Sequence, residues 1–153
     1  MQRTRGVSKQ LHQPVKHPAN PVISGDLSYE KDYAVLHGTV LRELDGRFRA
    51  WYLSGTGALA YTESKDGINW RKPLFDRYRI NGRDTNLVYW TQHPELARRD
   101  KWKFGGESIM SDPNAPPDDR YRMFTFEVPV SDSARERFRD GYGYYALSSP
   151  DGI

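Results

Sequence analysis

Side chains in RFRAWYL, residues 47–53, sort with a period of two: Phe48, Ala50 and Tyr52 share one face, and Arg47, Arg49 and Trp51 the other. That period predicts a half-buried β-strand. ALAYTES, residues 58–64, mixes β-formers with small residues that let a neighbouring sheet approach, and predicts a second strand. Between them SGTG, residues 54–57, is rich in glycine but precedes no helix, so it is a loop between strands. The pair Asp66-Gly67 predicts a tight two-residue hairpin turn, because glycine takes the positive φ that such a turn needs. Ile68 and Trp70 open the returning strand, with Trp70 as its packing anchor, and HGTVLREL, residues 37–44, predicts a strand ahead of the group.

The same order of parts returns further along. RYRMFTF, residues 120–126, matches RFRAWYL at an offset of 73, and YGYYALSSPDG matches ALAYTESKDG at an offset of 85. ESIMSD, residues 107–112, stands where HGTVLREL stood. Two repeats are therefore present, each a meander of about four short antiparallel strands. Repeated four-stranded sheets are the mark of a β-propeller, so the expected fold class is all-β, with propeller blades of antiparallel sheet. Two short helices are expected as insertions, HPELARRDK at 93–101 and SDSARERFRD at 131–140, the second capped by Ser131 or Asp132.

Composition narrows the function classes. The 153 residues allow one domain with a core, and ten tyrosines and a 13% aromatic content suit sheet faces better than packed helices. The charge of +3 is spread along the chain, and its one dense basic cluster is Arg98, Arg99, Lys101 and Lys103. A solvated surface explains that better than a nucleic-acid face, so no nucleic-acid partner is expected. There is no cysteine, and the four histidines at 12, 17, 37 and 93 lack metal-ligand spacing, so neither a metal nor another cofactor is expected. Without an apolar export segment or a membrane span, a soluble protein with no membrane partner is expected, cytoplasmic as the sequence stands. Phosphate-loop, zinc-protease and nucleophile-elbow motifs are absent.

HPANPVI, GTVLRELDGRFRAWY, AYTESKDGINWRKP, SDPNAPPDDRYRMF and YALSSPDGI, in that order, resemble the five-bladed β-propellers of the glycoside hydrolase family 32 and 43 superfamily. The resemblance covers residues 17–153 and implies an N-terminal arm at 1–16, a first blade at about 33–90 and a second at about 104–153. It also implies missing partners, since five blades need roughly twice this length at about 40–70 residues each. The expectation is therefore an N-terminal portion of a propeller, inactive and aggregation-prone by itself, with its remaining blades elsewhere.

Glycosidases place two carboxyl groups on either side of the scissile bond. The resemblance puts the first on the inner strand of blade one, where this chain has His37, and a supporting one on blade two, near Glu107 after Gly105-Gly106. A family acid on blade three has no counterpart here. Asp26, Glu30 and Asp32 in GDLSYEKDY are the nearby carboxylates that can stand in for His37. The candidate catalytic residues are thus Glu107 and Asp26, and the candidate substrate-binding residues His37, Asp84, Asn86 and Glu30. Each has a plainer alternative: a surface strand end for Glu107, turn capping for Asp84 and Asn86. Carbohydrate is the implied partner, cleaved by an enzyme or held by a non-catalytic binding or scaffold propeller.

Overall fold

The computed structural model describes residues 6, 8–90, 102–129 and 143–153, with backbone only at 102–104, 106 and 129. Among these the chain is antiparallel β-sheet, and the single helical element is one 3-10 turn at Pro117–Asp119. Both expected helices, with His93, Asp100 and the Arg98–Lys101 cluster, lie outside the described residues. No helix among the described residues is long and apolar enough to cross a membrane.

Strands β1 (Ala34–Val35) and β2 (Val40–Arg42) both pair with one side of β3 (Phe48–Ser54), and β4 (Leu59–Ser64) pairs with the other. A short β5 (Trp70–Arg71) follows, then a two-stranded ribbon of β6 (Phe75–Ile80) and β7 (Arg83–Thr85), then β8 (Leu87–Tyr89). β5 meets the far side of β4 at Ser64, and β8 meets it at Leu59 and Ala60. Six strands thus make a first sheet four strands wide. The second sheet runs in the order β11-β10-β9, from β9 (Trp102–Ser111), β10 (Tyr121–Pro129) and β11 (Gly143–Ser149).

The strand expected at 37–44 is shorter than its pattern, only Val40–Arg42, whereas the one expected at 107–112 begins earlier, at Trp102. The period-two sorting of RFRAWYL holds, yet the half-buried reading does not. Ala50, Trp51 and Tyr52 are all buried, because both faces of the first sheet are covered. Trp51, Leu59 and Tyr61 pack on Ile109, Tyr121 and Met123 of the second sheet, with the Trp51 ring edge-on to Tyr61 at 5.5 Å. On the opposite face Tyr52, Ala58, Ala60 and Leu87 are covered by Ile23, Tyr29, Ala34, Tyr78 and Ile80. Full burial of one such large side chain is worth about 1.5–3 kcal/mol, so these two layers hold the fold together.

The hairpin after β4 is not a two-residue turn. Ser64 pairs with Trp70, leaving residues 65–69 as the loop. Inside it Ser64 Oγ accepts hydrogen bonds from the Asp66 and Gly67 amides, and Asp66 Oδ1 accepts from the Ile68 and Asn69 amides at 2.8 and 2.7 Å. Those amide donors, the Asn69 backbone first, hold the Asp66 carboxyl far below the usual carboxylate range. The second copy repeats the bonds: Ser149 Oγ accepts from the Asp151 and Gly152 amides, and Asp151 Oδ1 from the Ile153 amide. Gly67 and Gly152 have φ of +75° and +79°, which explains the shared Asp-Gly.

Trp70 is not a core anchor either. It is only partly buried, and its Nε1–H donates within the turn to the Gly67 carbonyl at 3.0 Å. Trp51 is the anchor instead: it is 1% exposed, and its Nε1–H donates to the Gly152 carbonyl at 2.8 Å. Arg49 adds a second bond to that turn, donating to the Asp151 carbonyl at 2.7 Å. The first repeat therefore grips the Ser-x-Asp-Gly turn of the second.

Candidate functional site

The residues singled out from the sequence divide into two groups and one outlier. Asp26, Glu30 and Asn86 form one network around Lys72 and Tyr52. Glu30, wholly buried, accepts from the Tyr52 hydroxyl at 2.5 Å on Oε1, and from Lys72 Nζ at 2.7 Å and the Leu27 amide at 2.9 Å on Oε2. Lys72 also donates to Asp26 at 2.5 Å and to the Ser24 carbonyl. The Lys72 ammonium holds the Asp26 carboxyl below its ordinary range. Asn86, also buried, donates through Nδ2 to the Tyr52 hydroxyl and the Tyr61 carbonyl, and accepts from Tyr29 at 2.7 Å.

These groups are matched by partners, and that changes their reading. A buried carboxylate paired with an ammonium and two further donors is held by the fold, and opening it leaves an uncompensated charge. The network pins the segment 26–33 against β3, where Gly55 is required because a Cβ there would run into the Glu30 carbonyl. Burial raises the Tyr52 hydroxyl far above its usual value, and the bond to Glu30 adds to this, so it stays protonated as a donor. Lys72 and Tyr52 were not singled out from the sequence as site residues, although both lie in segments that carry the resemblance.

Asp84 lies apart, exposed on the β6–β7 ribbon and paired with Arg79 at 2.8 Å. Nothing in its surroundings brings it to the other candidates.

Glu107 and His37 form the second group. On β9 two residues, Gly106 and Glu107, stand against the single Thr125 of β10, because Ser108 pairs with Phe124 and Gly105 with Phe126. This is a β-bulge, a device that re-aims side chains, and the double glycine marks it. Glu107 is 2% exposed, and neither of its carboxyl oxygens has a hydrogen-bond partner; the buried Thr125 hydroxyl also lacks one. Burial pushes the Glu107 carboxyl above its ordinary value, opposed first by its own backbone amide and then by the neighbouring His37. Nearby on the same sheet face Glu127, wholly buried, accepts from the Tyr89 hydroxyl.

His37 reaches this place through the loop ahead of β2. The Ile109 amide donates to Thr39 Oγ1 at 2.9 Å, tying that loop to β9. Gly38 lets the loop lie across β3, since a Cβ there would meet the Trp51 carbonyl. His37 itself is exposed beside the buried carboxyl. In its protonated form, which burial favours, the Glu107 carboxyl can donate a hydrogen bond to a hydroxyl.

Two further concavities hold none of these residues. An apolar cavity of about 80 Å³ lies between the sheets among Trp51, Leu59, Val88, Ile109 and Met123, and a mixed-charge groove runs past Arg47, Glu63, Lys65 and Arg71. Among the described residues no three His, Asp or Glu side chains gather as a metal site requires. Comparison with known proteins finds no matching family model, curated protein or solved structure.

Proposed function

We propose that the two packed sheets are neighbouring blades of a glycoside hydrolase-like propeller, and that Glu107 with His37 forms part of its carbohydrate site. The observation behind this reading is the cluster of buried oxygens without partners, both of Glu107 and the hydroxyl of Thr125, beside an exposed histidine. Native proteins pair nearly all such groups with protein or ordered water, so the cluster at the bulge offers hydrogen-bonding capacity that hydroxyl groups can take up. Sugar hydroxyls both donate and accept, which suits a protonated carboxyl, a threonine and an imidazole together.

Hydrolysis by these residues alone is not expected. Asp26 and Glu30, the carboxylates that could complement Glu107, are committed to Lys72. Glu107 is therefore read as one carboxyl of a site whose second carboxylate lies on another blade, and by itself the chain binds sugar without cleaving it.

Calorimetric titration with a panel of neutral pentose and hexose oligosaccharides tests this. Binding should be lost in Glu107→Ala and kept in Lys65→Ala, a change on the far turn. Equal binding by both variants, or no binding by the unaltered protein, contradicts the reading. Turnover of aryl glycosides that Glu107→Gln abolishes would move it from binding to catalysis.

A further inference from the structure

Two irregularities, one in each sheet, meet at the Glu107 site. Val35 stands opposite Leu53 and Val40 opposite Ala50, so four residues, 36–39, are set against two of β3, Trp51 and Tyr52. The surplus cannot stay in the ladder, and the chain loops out between β1 and β2 with His37 on the loop. Its amide is turned back onto the Val35 carbonyl at 2.9 Å. The second irregularity is the bulge of β9, where Gly106 and Glu107 stand against Thr125. Each bulge aims its own side chain, and neither by itself sets His37 against Glu107.

Thr39 joins them. Its carbonyl accepts from the Trp51 amide at 3.1 Å, which seats the loop on the first sheet, and its hydroxyl accepts from the Ile109 amide at 2.9 Å, which seats it on the second. Ile109 lies just past Glu107 on the same strand. Among the described residues β9 pairs with β10 alone, so its other edge is left to this loop. Ile109 is 5% exposed, and its amide is a donor that must find an acceptor in the interior. Gly38 allows the seating, because a Cβ there would strike the Trp51 carbonyl. The result is felt at Glu107: burial raises the proton affinity of its carboxyl, and after its own amide His37 is the group that lowers it.

We propose that Thr39 is the positioning residue of this site: by accepting from the Ile109 amide it sets His37 beside Glu107, so that loop and bulge, one from each repeat, form one binding surface. Thr39 acts through His37 rather than on a ligand. Its part in sugar recognition rests on the carbohydrate reading, whereas the placement of His37 does not, and the two are measured apart. The hydroxyl is the feature that matters. Valine has the same branched shape but no acceptor, and serine keeps the acceptor without the methyl group.

The test is the titration midpoint of Glu107, followed by carboxyl carbon NMR on the full chain without any sugar. His37→Ala should shift it upward by removing the opposing group. Thr39→Val should shift it in the same direction, and Thr39→Ser should leave it where it was. Combined with His37→Ala, Thr39→Val should add nothing further, because both changes remove one contact. A Thr39→Val midpoint equal to the original, or two shifts that add in the double variant, overturns the proposal and leaves Thr39 a support for the strand alone. A second measurement needs no variant. In the unaltered protein the Ile109 amide should exchange slowly with solvent and the His37 ring should give a nuclear Overhauser contact to Glu107; absence of either overturns the placement. Oligosaccharide binding should weaken about fivefold or more in Thr39→Val and stay within about twofold in Thr39→Ser. Unweakened binding in Thr39→Val overturns the role in recognition. No binding by the unaltered protein overturns the carbohydrate reading, and the midpoints still decide the placement of His37.

Discussion

Burial favours the neutral form of a carboxyl, and both Glu107 oxygens are buried, with its own backbone amide opposing the shift only in part. Its folded-state affinity for a proton thus exceeds that in the unfolded chain, whose ordinary value is 4.5. The contribution to stability is then fully present below that value and falls as pH rises through the folded one. Glu107→Gln, which keeps the shape and cannot ionise, should stabilise the protein at pH 8 and leave it near the original at pH 4. Urea melts at the two pH values check this. Tyr52→Phe should act in the opposite direction at all pH values. It strips Glu30 of a donor and Asn86 of an acceptor in a buried network, a loss of about 1–3 kcal/mol in the same melts.

At the scale of the element, the Ser-x-Asp-Gly turn shows how a short phrase can be structural. Asp66→Ala removes the acceptor for two backbone amides and the Asn69 side chain, and should lower stability as the loss of a helix cap does. Asp151→Ala should cost less by its own bonds, since only the Ile153 amide is orphaned among the backbone donors, and Arg49 and Trp51 still hold the turn through its carbonyls. Chemical denaturation of the two variants side by side measures the difference.

The strands around these turns were legible because a period of two and an Asp-Gly both act locally. Burial of both sheet faces was not, since it depends on what a distant segment lays over Tyr52. For the same reason the tryptophans exchanged roles: Trp51 and Trp70 both sit in strand patterns, and only the second sheet decides which is covered. Glu107 was visible through its glycine pair, but the saturation of Glu30 depended on Lys72, 42 residues away in sequence.

At the scale of the whole molecule, two stacked repeats hold an unsatisfied polar site at the bulge of β9. Arg49, lying over the rings of Tyr61 and Tyr121 at 5.6 and 5.2 Å, joins the two sheets, and its loss should loosen the stack without touching Glu107. Arg49→Ala is expected to lower the melting temperature by several degrees, at about 1–2 kcal/mol, while saccharide binding per folded molecule is unchanged. Calorimetry at a temperature below both transitions checks that separation.

The proposed function depends on a Glu107 carboxyl that holds its proton more tightly than an exposed one and that a ligand can reach. Carboxyl carbon NMR of the labelled protein measures both directly, through the titration of Glu107 alone and with a saturating oligosaccharide. A midpoint above 4.5 that moves when sugar is added is the predicted result. A midpoint at or below 4.5, unmoved by any sugar in the panel, contradicts the account.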